Sequence, residues 1–409
     1  MRIAYKALLE EGQGGGDRYF DFDSTRIHPA LLQPFSPESL VRPPHNRTAY
    51  ILIEAKTGIP ASLEKIDHTC GAACNNCYLI KGGVNPNYRV PVETIVDMKN
   101  TLEAKEFNVV LTGADLLTRP DIFKAGLMNE KPYFLTSGTI VAMAPEKSLP
   151  LIAEAGIHNI QMSLHDPFDD GVNTFNGVPA QMVRKAIQNI REFNERFKTH
   201  IGIVLNVTVG RHNLDRLEEI ADIVLGNKDL GGLDCNGVRF NRHKAIGGAK
   251  SDLVLSDEDH ILFYKIVDEI RKKYPKNSTQ KMVSVSGDFG SLHRPLKKNG
   301  QPAYECPAGL PEGEITIVPQ RDGKHMVFSC LEVRAPELQM GWLINGVLTL
   351  DTKPFEELKQ PAVRQSLGIA SNSGDGCIAR TLTVAAPYAK NVRQYLSQNI
   401  NLEDPNITL

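Results

Sequence analysis

Cys70, Cys74 and Cys77 fall within eight residues, in the run Cys70-Gly71-Ala72-Ala73-Cys74-Asn75-Asn76-Cys77-Tyr78. Thiolates spaced this closely can converge on one metal centre, and soft sulfur ligands suit iron–sulfur clusters or zinc. The number of ligands is informative. A structural zinc site or an electron-transfer 4Fe–4S cluster takes four protein ligands, whereas a reactive centre keeps one position open. Gly71, Ala72 and Ala73 let the backbone approach an inorganic core, and Asn75 and Asn76 tolerate the turn that aims successive thiols inward. On these residues alone, a zinc knuckle completed by His68 or a remote cysteine, and plain buried thiols, stay open as alternatives.

Such a loop needs a scaffold, and the flanking sequence supplies one. Residues 48–54 read as a buried strand that leads through Pro60 into the cysteines. A helix is expected over 92–105, where Ile95, Met98 and Leu102 recur at helical spacing, and a strand over 107–111. The alternation continues with strands at 133–135, 160–164, 202–209 and 236–240. Between and after them, helices are expected near 150–155, 180–197, 214–225 and 257–273. Strands separated by helices of this length form βα units on a parallel sheet. About six units fit, so the expected fold is α/β, a partial (β/α)6 TIM-like barrel with functional groups at the C-terminal strand ends. Residues 1–48, rich in glycine and proline, read as an irregular arm covering part of the barrel over 49–285. From 286 to 409 glycines, prolines and short strand-like runs predict an α+β C-terminal extension.

The whole chain sets further bounds. Its 409 residues hold 46 basic and 48 acidic side chains, a balance that speaks against a nucleic-acid partner or a membrane surface. No apolar run is long enough to span a bilayer, and Met1-Arg2-Ile3 does not lead into a signal peptide. Seven cysteines, an odd number, are expected to work as metal ligands in a reducing cytoplasm and not as disulfides.

The cysteine spacing, with an aromatic residue after the third, resembles the radical S-adenosylmethionine (radical SAM) superfamily. The resemblance implies that Cys70, Cys74 and Cys77 hold a 4Fe–4S cluster whose open iron is chelated by the amino and carboxylate groups of SAM, with Tyr78 near the adenine. Gly113-Ala114-Asp115-Leu116 stands where the family often reads Gly-Gly-Glu-Pro, which implies that Gly113, Ala114 and Asp115 meet the SAM amino group. Asp115 is one methylene shorter than glutamate, and its plain reading is a βα turn that caps the next helix. By the same resemblance Ser137, in Thr136-Ser137-Gly138, and Asn206 contact the ribose. Ser163 and Asp166, in a segment similar to that of peptide-modifying members, bind the ribose or the SAM carboxylate, and Arg184 pairs with that carboxylate.

Four cysteines remain: Cys235, Cys306, Cys330 and Cys377. Cys306 precedes a β-hairpin expected to turn at Asp322-Gly323 and to return the chain to Cys330. This layout resembles the opening of the SPASM and twitch extensions, without their further closely spaced cysteines. It implies at most one auxiliary iron–sulfur cluster, on Cys306, Cys330 and either Cys235 or Cys377. Cys377, in the loop Ser373-Gly374-Asp375-Gly376-Cys377, is equally suited to give a hydrogen atom to a carbon radical. Cys235 is the second candidate donor, or a buried packing residue. The implied function is that of a maturase of ribosomal (RiPP) precursor peptides, with L-to-D epimerisation as the leading reaction and flavodoxin or ferredoxin as the reducing partner. The competing expectations are a radical SAM dehydrogenase or another radical modification, a cross-link or carbon-skeleton change, of a peptide or small-molecule precursor that uses the auxiliary cluster, and a non-enzymatic iron–sulfur or zinc scaffold.

Overall fold

The computed structural model describes residues 22–34, 47–53, 88–129, 133–168, 178–227, 229, 231–244, 251–275, 281–286, 313–331 and 339–351. The expectations for Cys70, Cys74, Cys77, Tyr78, Cys306 and Cys377 therefore lie outside the described residues.

Runs of β-branched and aliphatic residues form parallel strands in two sheets. In the first, β1 (Thr48–Ile53) runs parallel to β2 (Asn108–Gly113), with Ile53 opposite Gly113. In the second, β3 (Phe134–Thr136), β4 (Asn159–Ser163), β5 (Gly202–Val209), β6 (Gly237–Arg242) and β7 (Met282–Val285) lie side by side in chain order, all parallel. β7 was not expected from the sequence. No ladder joins β2 to β3 among the described residues. A carboxylate does so instead, as described below.

Helices on one side of the strands close the core. They are α1 (Val92–Glu103), α2 (Pro120–Lys124), α3 (Thr139–Met143), α4 (Pro145–Glu154), α5 (Ala180–Phe197), α6 (Leu217–Leu225) and α7 (Asp257–Lys273). α5 buries Met182, Val183, Ala186, Ile187, Ile190 and Phe193 along one stripe, which is why this long segment is helical at all. Its buried Asn189 donates from Nδ2 to the Val141 and Ala142 carbonyls, fastening α5 to the end of α3. The start of α7 is fixed by a capping box between Ser256 and Asp259. α4 begins at Pro145 and not at Pro150. Both prolines are possible first-turn residues, and Pro150 is carried inside the helix.

Part of the N-terminal arm is described. Ile27 and Leu31 are buried, His28 N–H donates to the Ala153 carbonyl and His200 N–H to that of Leu31, so the arm covers the N-terminal ends of β4 and β5. At the other end of the chain, β8 (Glu314–Val318) and β9 (Lys324–Phe328) form the expected antiparallel hairpin, and β10 (Gln339–Ile344) and β11 (Val347–Leu350) a second one. Gly323 takes φ 77° at the first turn, a left-handed conformation open to glycine. β8 also pairs parallel with β1, Thr48 opposite Glu314, so the first sheet runs β11-β10-β9-β8-β1-β2.

In the five-stranded sheet the two faces differ in chemistry. Ile160, Met162, Ile203, Leu205, Val207, Val238 and Phe240 are all buried, and Phe240 meets Phe263 of α7 edge-on, with ring centroids 6.1 Å apart. Residues alternating with these face the other way. They are Gln161, Ser163, Asn206, Thr208, Arg239, Asn241 and Ser284, a polar concave face.

Candidate active site

The site is built from the C-terminal ends of β1 to β6. β1 ends at Ile53, immediately before residues 54–87 with their cysteines. The β2 end is stitched to it: Ala114 N–H donates to the Ile53 carbonyl at 2.9 Å. Gly113 has φ 122°, and a Cβ there would stand 2.4 Å from the same oxygen, so only glycine lets the two strand ends approach this closely.

Asp115 follows, and its side chain is buried. Its Oδ2 accepts from Thr136 Oγ1 at 2.6 Å, from Ser137 N–H at 2.9 Å and from Ser137 Oγ at 2.9 Å. Its Oδ1 accepts from Leu117 N–H at 3.2 Å, the turn cap expected from sequence. One carboxylate thus clasps the end of β2 to the end of β3. Burial raises its pKa above the ordinary aspartate value, while the hydrogen bonds from Thr136, Ser137 and Leu117 work against the rise. The Ser137 hydroxyl hydrogen is committed to Asp115 while its oxygen accepts from Thr139 N–H, so a ribose hydroxyl would have to donate to it.

Ser163 on β4 stands opposite Asn206 on β5, which stands opposite Arg239 on β6, which stands opposite Ser284 on β7. Asn206 is 5% exposed. Its Nδ2 reaches Gln161 Oε1 only at 3.5 Å, and its Oδ1 has no hydrogen-bond partner among the described residues. A buried amide oxygen in that state is an acceptor waiting for a donor.

After β4 the chain turns. Asp166 Oδ1 accepts from Phe168 N–H at 2.9 Å, Arg184 of α5 donates from Nη2 to the Pro167 carbonyl at 3.1 Å, and the Arg216 guanidinium lies 3.8 Å from the Phe168 ring centroid. Asp166 and Arg184 therefore brace the same turn. Next to them is a group with no role expected from sequence. His165 is buried, and its Nδ1 accepts from Thr208 N–H at 2.8 Å, which leaves the hydrogen on Nε2. Burial, aided by repulsion from His212 and His243, pulls its pKa down to about 3. These three histidines follow β4, β5 and β6, and only folding brings them together.

Of the remaining cysteines, Cys235 and Cys330 are described. Cys235 is fully buried ahead of β6, at its N-terminal end, and burial pushes its thiol up to about 12. At about 3.3 Å per strand residue it sits about 20 Å from the far end of β6, so packing is the role its position fits. Cys330 is partly buried just beyond β9. Among the described residues no group of three or more histidine, cysteine or acidic side chains could hold a metal ion, and no helix is long and apolar enough to cross a membrane.

Comparison with known proteins bears on the same region. Residues 66–224 match the family model described as the Radical SAM superfamily. No curated protein sequence matches significantly. Among solved structures, Streptococcus suis SuiB bound to precursor peptide SuiA superposes with a TM-score of 0.50 at 12% identity, covering 70% of this chain and 60% of SuiB. SuiB bound to S-adenosylmethionine gives 0.50 at 11%, covering 76% and 65%. The match thus spans less than two thirds of SuiB. A third structure, native anSMEcpe with bound AdoMet, aligns over 85% of this chain and 100% of its own length at 14% identity, with a TM-score of 0.48. Cysteine spacing, parallel α/β architecture and the family match converge on a radical SAM domain over residues 66–224.

Proposed function

We propose that the protein is a radical SAM enzyme acting on a peptide. The observation that carries this is where Cys70, Cys74 and Cys77 stand in the chain: inside the matched residues 66–224 and between β1 and β2, two of the strands whose C-terminal ends build the site. Three thiolates are the right donor set for a 4Fe–4S cluster with one open iron. Asn206 Oδ1, without a hydrogen-bond partner among the described residues, and the partly buried Ser163 opposite it fit a hydroxyl-rich nucleoside. When bound, cluster and SAM together supply a 5′-deoxyadenosyl radical that takes a hydrogen atom from the substrate.

The chain's own residues do the rest. Gly113 and Ala114 offer backbone oxygens to the SAM ammonium, and Asp115 holds Ser137 at the height of the ribose. Asn206 accepts from a ribose hydroxyl, Ser163 lies beside it, and Tyr78 packs on the adenine. Asp166 and Arg184 shape the turn over the SAM carboxylate. The peptide substrate is supported by the fold shared with SuiB, which was solved with its precursor peptide. L-to-D epimerisation at Cα, with Cys377 returning the hydrogen atom, is the finer reading. It is motivated by a thiol in a glycine-rich loop, whose S–H bond is weak. One auxiliary cluster on Cys306 and Cys330, a cytoplasmic setting and a flavodoxin or ferredoxin as electron source complete the proposal.

The test is anaerobic reconstitution with iron and sulfide, followed by dithionite and SAM. 5′-Deoxyadenosine should form, and replacing the three loop cysteines by alanine should abolish both bound iron and product. An iron-loaded protein that makes no 5′-deoxyadenosine would sink the proposal. For epimerisation, turnover of a precursor peptide in deuterium oxide should place deuterium at Cα. A modified peptide without it refutes that reaction alone.

A further inference from the structure

We infer that Arg239 is the anchor of a carboxylate-binding site for the substrate, one strand beyond the residues assigned to SAM; the inference rests on the radical SAM reading. Arg239 lies in the middle of β6, between the buried Val238 and Phe240. Phe240 packs on α7, so the arginine projects from the opposite, concave face. It is partly buried, yet among the described residues its guanidinium makes no hydrogen bond and no ion pair. Its described neighbours on that face carry no charge to balance it. Asn206 and Ser284 stand opposite it on β5 and β7, and Gly237 and Asn241 flank it along β6. A partly desolvated cation without a counter-charge is costly, and chains retain such groups where a ligand supplies the charge.

The geometry also says what the ligand is. A guanidinium is a planar fork that matches a carboxylate through two parallel N–H···O bonds. A carboxylate is what a peptide presents through an acidic side chain or its C-terminus. The SAM carboxylate is the other source. It must reach the iron on the three clustered cysteines, and the reading above seats it at the turn after β4 that Asp166 and Arg184 brace, two strands away from β6. The row therefore divides: Ser163 and Asn206 face the nucleoside, and Arg239 faces the substrate.

The test uses the wild-type holoprotein, so no variant has to fold. Phenylglyoxal modifies guanidinium groups that lack partners, and peptide mapping by mass spectrometry reads modification at Arg239. The probes are N-acetyl-glutamate amide and, as the uncharged control, N-acetyl-glutamine amide, each with saturating SAM. Arg239 should react in the protein with or without SAM. The glutamate probe should slow its modification about tenfold, and the glutamine probe should leave it unchanged. Protection by SAM alone would assign the arginine to the cofactor and overturn the inference, as would failure of the glutamate probe to protect or an arginine inert in the free protein. 5′-Deoxyadenosine formation measured on the same sample separates the two levels. Its absence condemns the radical SAM reading, whereas its presence with the wrong labelling pattern condemns only the role of Arg239.

Discussion

Replacing Asp115 by alanine tests whether one carboxylate joins the two sheets. Thr136 Oγ1, Ser137 N–H, Ser137 Oγ and Leu117 N–H all donate to it. The two hydroxyls can turn towards other acceptors, but the two backbone N–H groups cannot. A buried donor stripped of its acceptor costs about 1–3 kcal/mol, so the pair costs about 2–6 kcal/mol. Relief of the desolvation borne by the buried carboxylate offsets part of this, leaving a net loss of about 3 kcal/mol. Asparagine keeps one oxygen and can serve only one of the two N–H groups, so Asp115→Asn should lose about half as much. Urea unfolding followed through the single tryptophan, Trp342, reports the totals. Amide exchange across residues 115–139 should accelerate locally at Ser137 and Leu117. If the alanine variant unfolds within about 0.5 kcal/mol of the wild type, or the two variants lose the same amount, unmet backbone donors are not what the carboxylate answers.

Further outcomes follow from the same strand ends. His165 binds its proton at about 3 when folded and near the ordinary histidine value when unfolded, so the unfolded chain holds more protons between these limits. Stability is therefore full above about pH 6.5 and falls with falling pH, by about 2 kcal/mol between pH 7 and 5. His165→Gln keeps an acceptor for Thr208 N–H, and urea titrations at the two pH values should show a flatter slope for it than for the wild type. Gly113→Ala forces a Cβ to within 2.4 Å of the Ile53 carbonyl at φ 122°. The expected loss is about 3 kcal/mol, together with weaker SAM retention by the reconstituted protein in equilibrium dialysis.

Local signals in the chain were good guides to local structure. The β-branched runs at Thr48–Ile53 and Gly202–Val209 and the apolar stripe of Ala180–Phe197 form the elements that their periodicity implies. Where two signals of equal weight compete, as Pro145 and Pro150 do, the boundary moves by several residues. Asp115 shows how far a site can be read. Its turn cap to Leu117 is a matter of adjacent residues and was legible, but the bonds to Thr136 and Ser137 depend on how β2 and β3 come to lie side by side. The gathering of His165, His212 and His243 and the lack of a partner for Arg239 among the described residues were illegible for the same reason. Each depends on the register between strands, which no short window contains.

The parallel pairing of β1 with β8 has a consequence for biosynthesis. Tyr50 and Glu314, whose side chains meet at 3.4 Å, are 264 residues apart in the chain. At ribosomal rates of about 5–20 residues per second, β1 waits on the order of tens of seconds for the strand that completes its second edge. Throughout that interval it presents Ala49, Ile51 and Ile53 beside a row of unmet backbone groups, the arrangement that invites pairing with another nascent chain. A fragment ending after β7 would keep that edge open permanently and should aggregate during expression, although it contains every strand of the second sheet. Folding of the first strand is thus held back until nearly the last described one has been made.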